Sequence, residues 1–399
     1  MGGMATVTGG TVGAGGDTSK GGTTSAGGRT GSGGTPSQGG ATSTGGTPST
    51  GGSPSAGGAP NSGGTPSAGG STGTGLMLPQ EGNPINTSLD TYKEWIKGTL
   101  DADKKLADNI VSWQLASGGY YKWGVAKYGS PGQGSSELGT IDNDATTTEL
   151  MVLADVYNRS KDVKYQSAAR KTFDYLLTMQ TSTGGWPQYY PKRGNYSDHV
   201  TFNDNAMVRV LVLLDRAVRK EAPLDGDIFT EEQVTRAATA VNKGVEYILK
   251  SQIKQDGVPT VWCAQHGVDD YLPKAARDYE LASKSGSESV LVAAFLMSRP
   301  QTDEVKKAVK AAVDWFRNPA TYLKDTSYEP TQTNPIVSKP GSNMWFRFYD
   351  LDKDKGFFCG RDGVKKYDVM EIEAERRSGY RWGGPWGEKL IAYAVTVGY

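Results

Sequence analysis

Cysteine and histidine are almost missing from this chain of 399 residues, which carries only Cys263, Cys359, His199 and His266. Two cysteines exclude a disulfide framework and a four-cysteine zinc site; two histidines argue against a multi-histidine metal centre. Net charge is missing as well, since 43 basic side chains balance 43 acidic ones. Without a long basic run, electrostatic binding to nucleic acid is excluded. No stretch approaches ~18 uninterrupted apolar residues, so no membrane-spanning helix is expected. The chemistry must rest on carboxylates, amides and arginines.

Aromatic residues are missing from one end only. Up to Gly75 there is no Trp, Tyr or Phe, the only charges are Asp17, Lys20 and Arg29, and 28 of the 54 glycines are found there. Such a segment cannot bury enough apolar surface to offset chain entropy, so residues 1–75 are expected to be a disordered Gly/Ser/Thr/Pro-rich linker. Residues 76–399 hold all the aromatics and suffice for a large catalytic domain, expected to be monomeric. Linkers of this kind tether secreted catalytic domains to a binding module or a cell surface. Met1-Gly2-Gly3-Met4 has neither a positive nor an apolar region of a signal peptide. The chain therefore reads as a piece of a longer secreted protein, with a carbohydrate-binding module among the parts expected upstream. A low-complexity tail on a cytosolic enzyme is the alternative.

Three helical stretches share a register counted back from a glutamine. Ala107, Ile110 and Val111 precede Gln114; Ala169, Phe173, Leu176 and Leu177 precede Gln180; Val241, Val245, Ile248 and Leu249 precede Gln252. This spacing makes one apolar stripe on a helix. Glycine follows each time (Gly118-Gly119, Gly184-Gly185, Gly257), read as the left-handed residue that closes a helix. The glutamines are 66 and 72 residues apart, and each unit continues through a long loop into a second, more apolar helix. Outer and inner helices repeated three times predict an all-α fold, an (α/α)3 toroid of helical hairpins, with the inner-helix starts gathered at one rim.

Those starts are polar: Asp142-Asn143-Asp144, Asn203-Asp204-Asn205 and Ser285-Gly286-Ser287-Glu288. N-capping would explain any one of them. Three acids at equivalent places in two repeats exceed what capping needs, and clustered carboxylates are kept for a cation or for acid–base work. Oxygen-only donors favour Ca2+. A second cluster runs from Trp262 to Glu280 and contains Arg277, for which a bidentate salt bridge to Asp278 or Glu280 is the plain expectation. Arg347 and Arg361 stand among aromatics further on, and arginine is the residue suited to recognising carboxylates. Asp352, Asp354 and Gly356 resemble the start of an EF-hand loop but lack its closing glutamate, and read as a surface turn.

The strings GGWPQYYP (184–191), TFNDNAM (201–207), WCAQH to AARDYE (262–280), SGSES (285–289), RFYDL (347–351) and GRDG (360–363) together resemble the family 10 polysaccharide lyases, which are pectate lyases. The likeness spans residues 88–399. It implies cleavage of polygalacturonate by β-elimination with Ca2+ bridging protein and substrate carboxylates. By motif, Arg277 is the implied Brønsted base, Asp142, Asp144 and Asp204 the Ca2+ ligands, and Arg347, Arg361, Asn203 and Tyr279 the substrate contacts. Gly267 and Lys284 depart from the family's pattern, where an acid and a leucine are expected. Two other readings remain open. An inverting glycosidase would use Asp144 and Asp204 as its acid and base. A non-catalytic sugar-binding module would stack sugars on Trp123, Trp186, Tyr189 and Tyr190.

Overall fold

The computed structural model describes residues 75–122, 124–132 and 137–399. The predicted linker, apart from Gly75, and Trp123 lie outside the described residues. Helices are α1 (Thr91–Trp95), α2 (Leu100–Trp113), α3 (Thr147–Ser160), α4 (Val163–Met179), α5 (Ala206–Val218), α6 (Glu231–Ser251), α7 (Glu288–Met297), α8 (Asp303–Arg317), α9 (Ala374–Gly379) and α10 (Trp386–Thr396). The long amphipathic helices α2, α4, α6 and α8 alternate with the more deeply buried α3, α5 and α7. None of the described helices is long and apolar enough to cross a membrane.

The glutamine register has a physical cause. Gln114, Gln180 and Gln252 each end their helix in nearly one extended conformation (φ −64, −63, −61; ψ 125, 131, 123). Each Nε2 donates to a carbonyl of the adjoining turn, Gly118, Gly184 or Thr260. Each also reaches the next long helix, at Ala168 O (2.8 Å), Ala240 O (2.9 Å) and Ala308 O (2.9 Å). A primary amide supplies two N–H groups, enough to join two buried carbonyls at once. The chain α2–α4–α6–α8 is thus linked by the same contact three times. Gln252→Ala, with its amide buried, is expected to cost about 1–3 kcal/mol of stability in urea unfolding without changing KM.

The glycines do something other than close helices. Gly118 (φ 99) and Gly184 (φ 104) lie four residues beyond the glutamine, where a Cβ would meet Lys171 O at 2.4 Å and Lys243 O at 2.2 Å. Glycine is required by the backbone angle and by the close approach of the following helix.

The expected all-α fold, an (α/α)3 toroid of helical hairpins, is overturned: among the described residues five small sheets accompany the helices. β1 (Gly139–Thr140) pairs with β2 (Tyr189–Tyr190), β3 (Val200–Thr201) with β6 (Gln265–His266), and β4 (Lys254–Gln255) with β5 (Val258–Pro259). A four-stranded sheet has the order β12-β11-β10-β7: Lys365–Lys366, Gly356–Cys359, Phe348–Tyr349 and Lys284–Ser285. A three-stranded sheet has the order β13-β9-β8: Gly383–Gly384, Ile336–Phe346 and Tyr322–Tyr328. All the pairings are antiparallel. Between α8 and α10 the chain is mostly strand. Its aromatic and β-branched residues suit a pleated surface, and Tyr328, Met344, Phe348, Phe357, Phe358 and Trp382 build a separate core together with Tyr279 from the loop before α7. Cys263 and Cys359 are both buried and free.

Candidate active site

Short strand pairs bring the motif loops together. Thr140 faces Tyr189, so the loop after Gly184 runs beside the Asp142 turn. Thr201 faces Gln265, and Asn203 N donates to Ala264 O, joining the Asp204 turn to the Trp262 loop. Phe348 faces Ser285, which sets Arg347 beside the start of α7. In each case one loop is paired with a loop far along the chain, and local helix propensity does not encode that.

The starts of α3 and α5 have unusual backbones. Asn143 (φ 49), Asp144 (φ 64) and Thr146 (φ 67) are left-handed, as are Asp204 (φ 51) and Asn205 (φ 61). Asn and Asp adopt this region more readily than other residues with a Cβ, and such strain collects where side-chain direction matters. Capping is not their role: neither helix has a side-chain cap, whereas α4, α6 and α8 are capped by Asp162, Thr230 and Thr302.

The acids face cations instead. Buried Asp142 accepts from Lys122 Nζ at 2.8 Å. Asp144 Oδ1 lies 3.0 Å from Arg209 Nε, and its other oxygen accepts from Thr91 Oγ1. Asp204 Oδ1 accepts from Arg347 Nη2 at 3.2 Å, and its Oδ2 accepts from Asn203 Nδ2 at 2.9 Å. Arg347 also donates to Asn203 Oδ1 (3.2 Å) and to Glu288 Oε1 (2.5 Å). Burial pushes the Arg347 pKa down, but Glu288, Tyr380, Asp204 and Glu280 outweigh it and hold the guanidinium charged. Its Nε is buried without a partner. Among the described residues no three acids, cysteines or histidines form a group able to hold a metal by themselves.

Arg277 makes the bidentate pair expected of it, with Glu280: Nε–Oε2 is 2.8 Å and Nη2–Oε1 is 2.5 Å. Burial works against its charge, yet Glu280 prevails and raises its pKa above the ordinary arginine value. Glu280 accepts in addition from Tyr380 Oη at 3.0 Å, and Arg347 lies over the Tyr380 ring, 4.7 Å from its centroid. The Arg277 charge also opposes that of Lys122, whose ammonium is kept protonated by Asp142 against the effect of burial. The Tyr279 ring, 5 % exposed, carries three guanidiniums: Arg376 at 4.5 Å, Arg277 at 4.8 Å and Arg361 at 5.9 Å. One fold region thus gathers four arginines (277, 347, 361 and 376) around two tyrosines.

A pectic acid lyase family model matches residues 114–391. The chain belongs to the pectic acid lyase family. It is similar to the family 10 polysaccharide lyase from Cellvibrio cellulosa, 50 % identical over 82 % of this chain and all of that one, with a TM-score of 0.76. An aspartate-to-alanine variant of a family 10 polysaccharide lyase from the same organism, solved in complex with trigalacturonic acid, is 49 % identical over 81 % of this chain and all of that one, with a TM-score of 0.77. No curated protein matches the chain. The protein is accordingly a polysaccharide lyase.

Within this lyase the sequence motifs did not reveal Lys122, Arg209, Glu375, Arg376 or Tyr380, nor the parts that Glu280 and Glu288 play as shared partners. The one available signal was the run Glu375-Arg376-Arg377 to Tyr380-Arg381, dense in arginine and aromatic residues. Trp186, a candidate sugar-stacking residue, is fully buried and donates from Nε1 to Leu176 O, as Trp262 does to Ile248 O one repeat later. Tyr189 and Tyr190 remain partly exposed. The two departures from the family pattern are structural. A Cβ at Gly267 would meet Asp270 Oδ1 at 1.9 Å. Fully buried Lys284 pairs with Asp354 at 2.6 Å, and Asp354 also accepts from Trp315 Nε1. The Asp352–Gly356 segment is therefore anchored to the core through Asp354 rather than being a plain surface turn.

Proposed function

We propose that this pectate lyase cleaves de-esterified polygalacturonate by Ca2+-dependent β-elimination, with Arg277 as the base that takes the C5 proton. The gathering of Arg277, Arg347, Arg361 and Arg376 around Tyr279 and Tyr380 carries the reading, because a polyuronate presents one carboxylate per sugar. The trigalacturonic acid complex of a relative about half identical supports the substrate class.

Asp142, Asp144 and Asp204 are hard oxygen donors that suit Ca2+ in kind, but they form no metal-holding group by themselves, so they would hold it only together with the substrate. Ca2+ takes about six to eight oxygens, more than these residues provide, so uronate carboxylates and water would complete the shell. When bound, the cation would offset negative charge that develops on the uronate carboxylate as C5 loses its proton. Arg347, with its unpartnered Nε, and Arg361 would hold uronate carboxylates. Arg277 would accept the C5 proton. The electron pair left behind would form the C4–C5 double bond, and the C4–O bond would break with a proton passing to the leaving oxygen. Because Glu280 holds the Arg277 proton more tightly than usual, positive charge from Lys122 and from the bound cation would have to counter that pairing. The deprotonated fraction rises with pH, so activity is expected to climb into the alkaline range. Polygalacturonate is too large to enter a cell intact, which supports secretion, with residues 1–75 as a tether.

The test is ultraviolet absorbance during incubation with polygalacturonate, with Ca2+ and then with excess chelator, across pH. A rise that chelator abolishes and that is greatest above pH ~9 is expected. New reducing ends without absorbance, indifferent to chelator, would transfer catalysis to Asp144 and Asp204 as a hydrolytic pair. An optimum near pH ~5 would remove the base role from Arg277.

A further inference from the structure

Glu375, in the first turn of α9, already occupies two of the clustered arginines. Arg361 grips its carboxylate with Nη2–Oε1 at 2.7 Å and Nε–Oε2 at 3.3 Å. Arg376 grips the same two oxygens, Nη2–Oε1 at 2.6 Å and Nε–Oε2 at 2.9 Å. One carboxylate therefore sits between two bidentate forks, the geometry by which arginine recognises a free carboxylate. Both guanidiniums share the Tyr279 ring with Arg277. The Glu375 side chain is accessible at 54 % exposed, and so is that of Arg361 at 46 %, while that of Arg376 is 9 % exposed. The arginines are held from elsewhere, Arg376 by the ring and Arg361 by its backbone N–H on Glu373. Among the described residues the Glu375 carboxylate has no hydrogen-bond partner other than these two arginines.

We infer that Glu375 is an internal stand-in for a uronate carboxylate, which the substrate must displace from Arg361 and Arg376. The inference rests on the pectate reading above and adds a residue that sets affinity without touching the reacting carbons. Exchange of one carboxylate for another leaves the two guanidiniums compensated before and after binding. That exchange keeps the uronate from being held as tightly as two free forks would hold it, and it refills the forks as product leaves. Arg376 and then Arg361 push the Glu375 carboxyl down to about 2, so the stand-in is charged at every pH at which an alkaline enzyme works.

The experiment measures calorimetric binding of trigalacturonic acid to the full chain, wild type against Glu375→Gln, alongside KM on polygalacturonate. The amide keeps the shape but not the charge, and the residue is exposed enough that folding is expected to be unaffected, as a thermal melt will check. Tighter binding by about three- to fivefold is expected, with a matching fall in KM and no rise in kcat, the scale of one partly exposed ion pair. In an Arg361→Ala background the gain from Glu375→Gln should shrink, because one fork is then missing in both states. Unchanged or weaker binding in Glu375→Gln would overturn the inference and leave Glu375 as a purely structural partner. A wild type that makes no unsaturated product, together with tighter binding by Glu375→Gln, would instead remove the lyase mechanism and keep the stand-in.

Discussion

Arg277→Ala is expected to lower kcat on polygalacturonate by about a thousandfold or more while KM stays within a few fold. The split follows from the ground state. Arg277 is already neutralised by a bidentate carboxylate, so its charge adds little to substrate capture. Its role would begin when the C5 proton moves, and an interaction made only then appears in kcat. Arg277→Lys refines the result. An ammonium ordinarily titrates about two units below a guanidinium, so the rising limb of the pH profile should move to lower pH. Residual activity should be small, since lysine cannot reproduce the fork on Glu280. A loss below tenfold in Arg277→Ala, measured by absorbance under saturating substrate, would take Arg277 out of the chemistry.

Arg347→Ala is expected to destabilise the protein by about 3–5 kcal/mol in urea unfolding, and to remove most activity from what remains folded. Glu288 is 1 % exposed and receives Arg347 Nη2 at 2.5 Å, with Ser285 Oγ as its other partner. Truncating the arginine leaves that carboxylate buried and uncompensated, which costs far more than the pair contributes when intact. Asp204 and Asn203 lose the same donor, so the α5 start loses its orientation along with its charge partner. The double variant Arg347→Ala/Glu288→Ala should be less destabilised than the sum of the single ones, because it removes both charges together. Strict additivity would show that the two residues are not energetically coupled.

The helical repeat was legible because its cause is local. An apolar stripe at 3.6-residue spacing and a helix-ending glutamine occupy about 12 residues, a span over which periodicity and propensity act directly. What each glutamine does was not legible: its partners at Ala168, Ala240 and Ala308 lie 54, 60 and 56 positions away. The strands after α8 were not legible for the opposite reason. Its strands are mostly two to four residues long, too short to display alternation, and only β8 and β9 are longer. Their stability comes from pairing across the chain and from the aromatic core between them.

The site divides the same way. The carboxylates and arginines carried by recognisable strings could be named from the sequence, as could the pair of Arg277 with a neighbouring acid, which needs only three residues of chain. Which cation each acid faces could not. Lys122 with Asp142 and Arg209 with Asp144 bridge 20 and 65 positions, and Arg347 reaches Asp204 across 143. Those meetings are fixed by two-residue strand pairs and by left-handed backbones at Asn143, Asp144, Asp204 and Asn205. Composition and short-range spacing thus determined the helices and the acid and arginine inventory, and the resemblance of the motif strings pointed to the family. Electrostatic pairing was decided by the tertiary structure, because a Coulomb interaction depends on distance in space and the chain's order sets that distance only after it has folded.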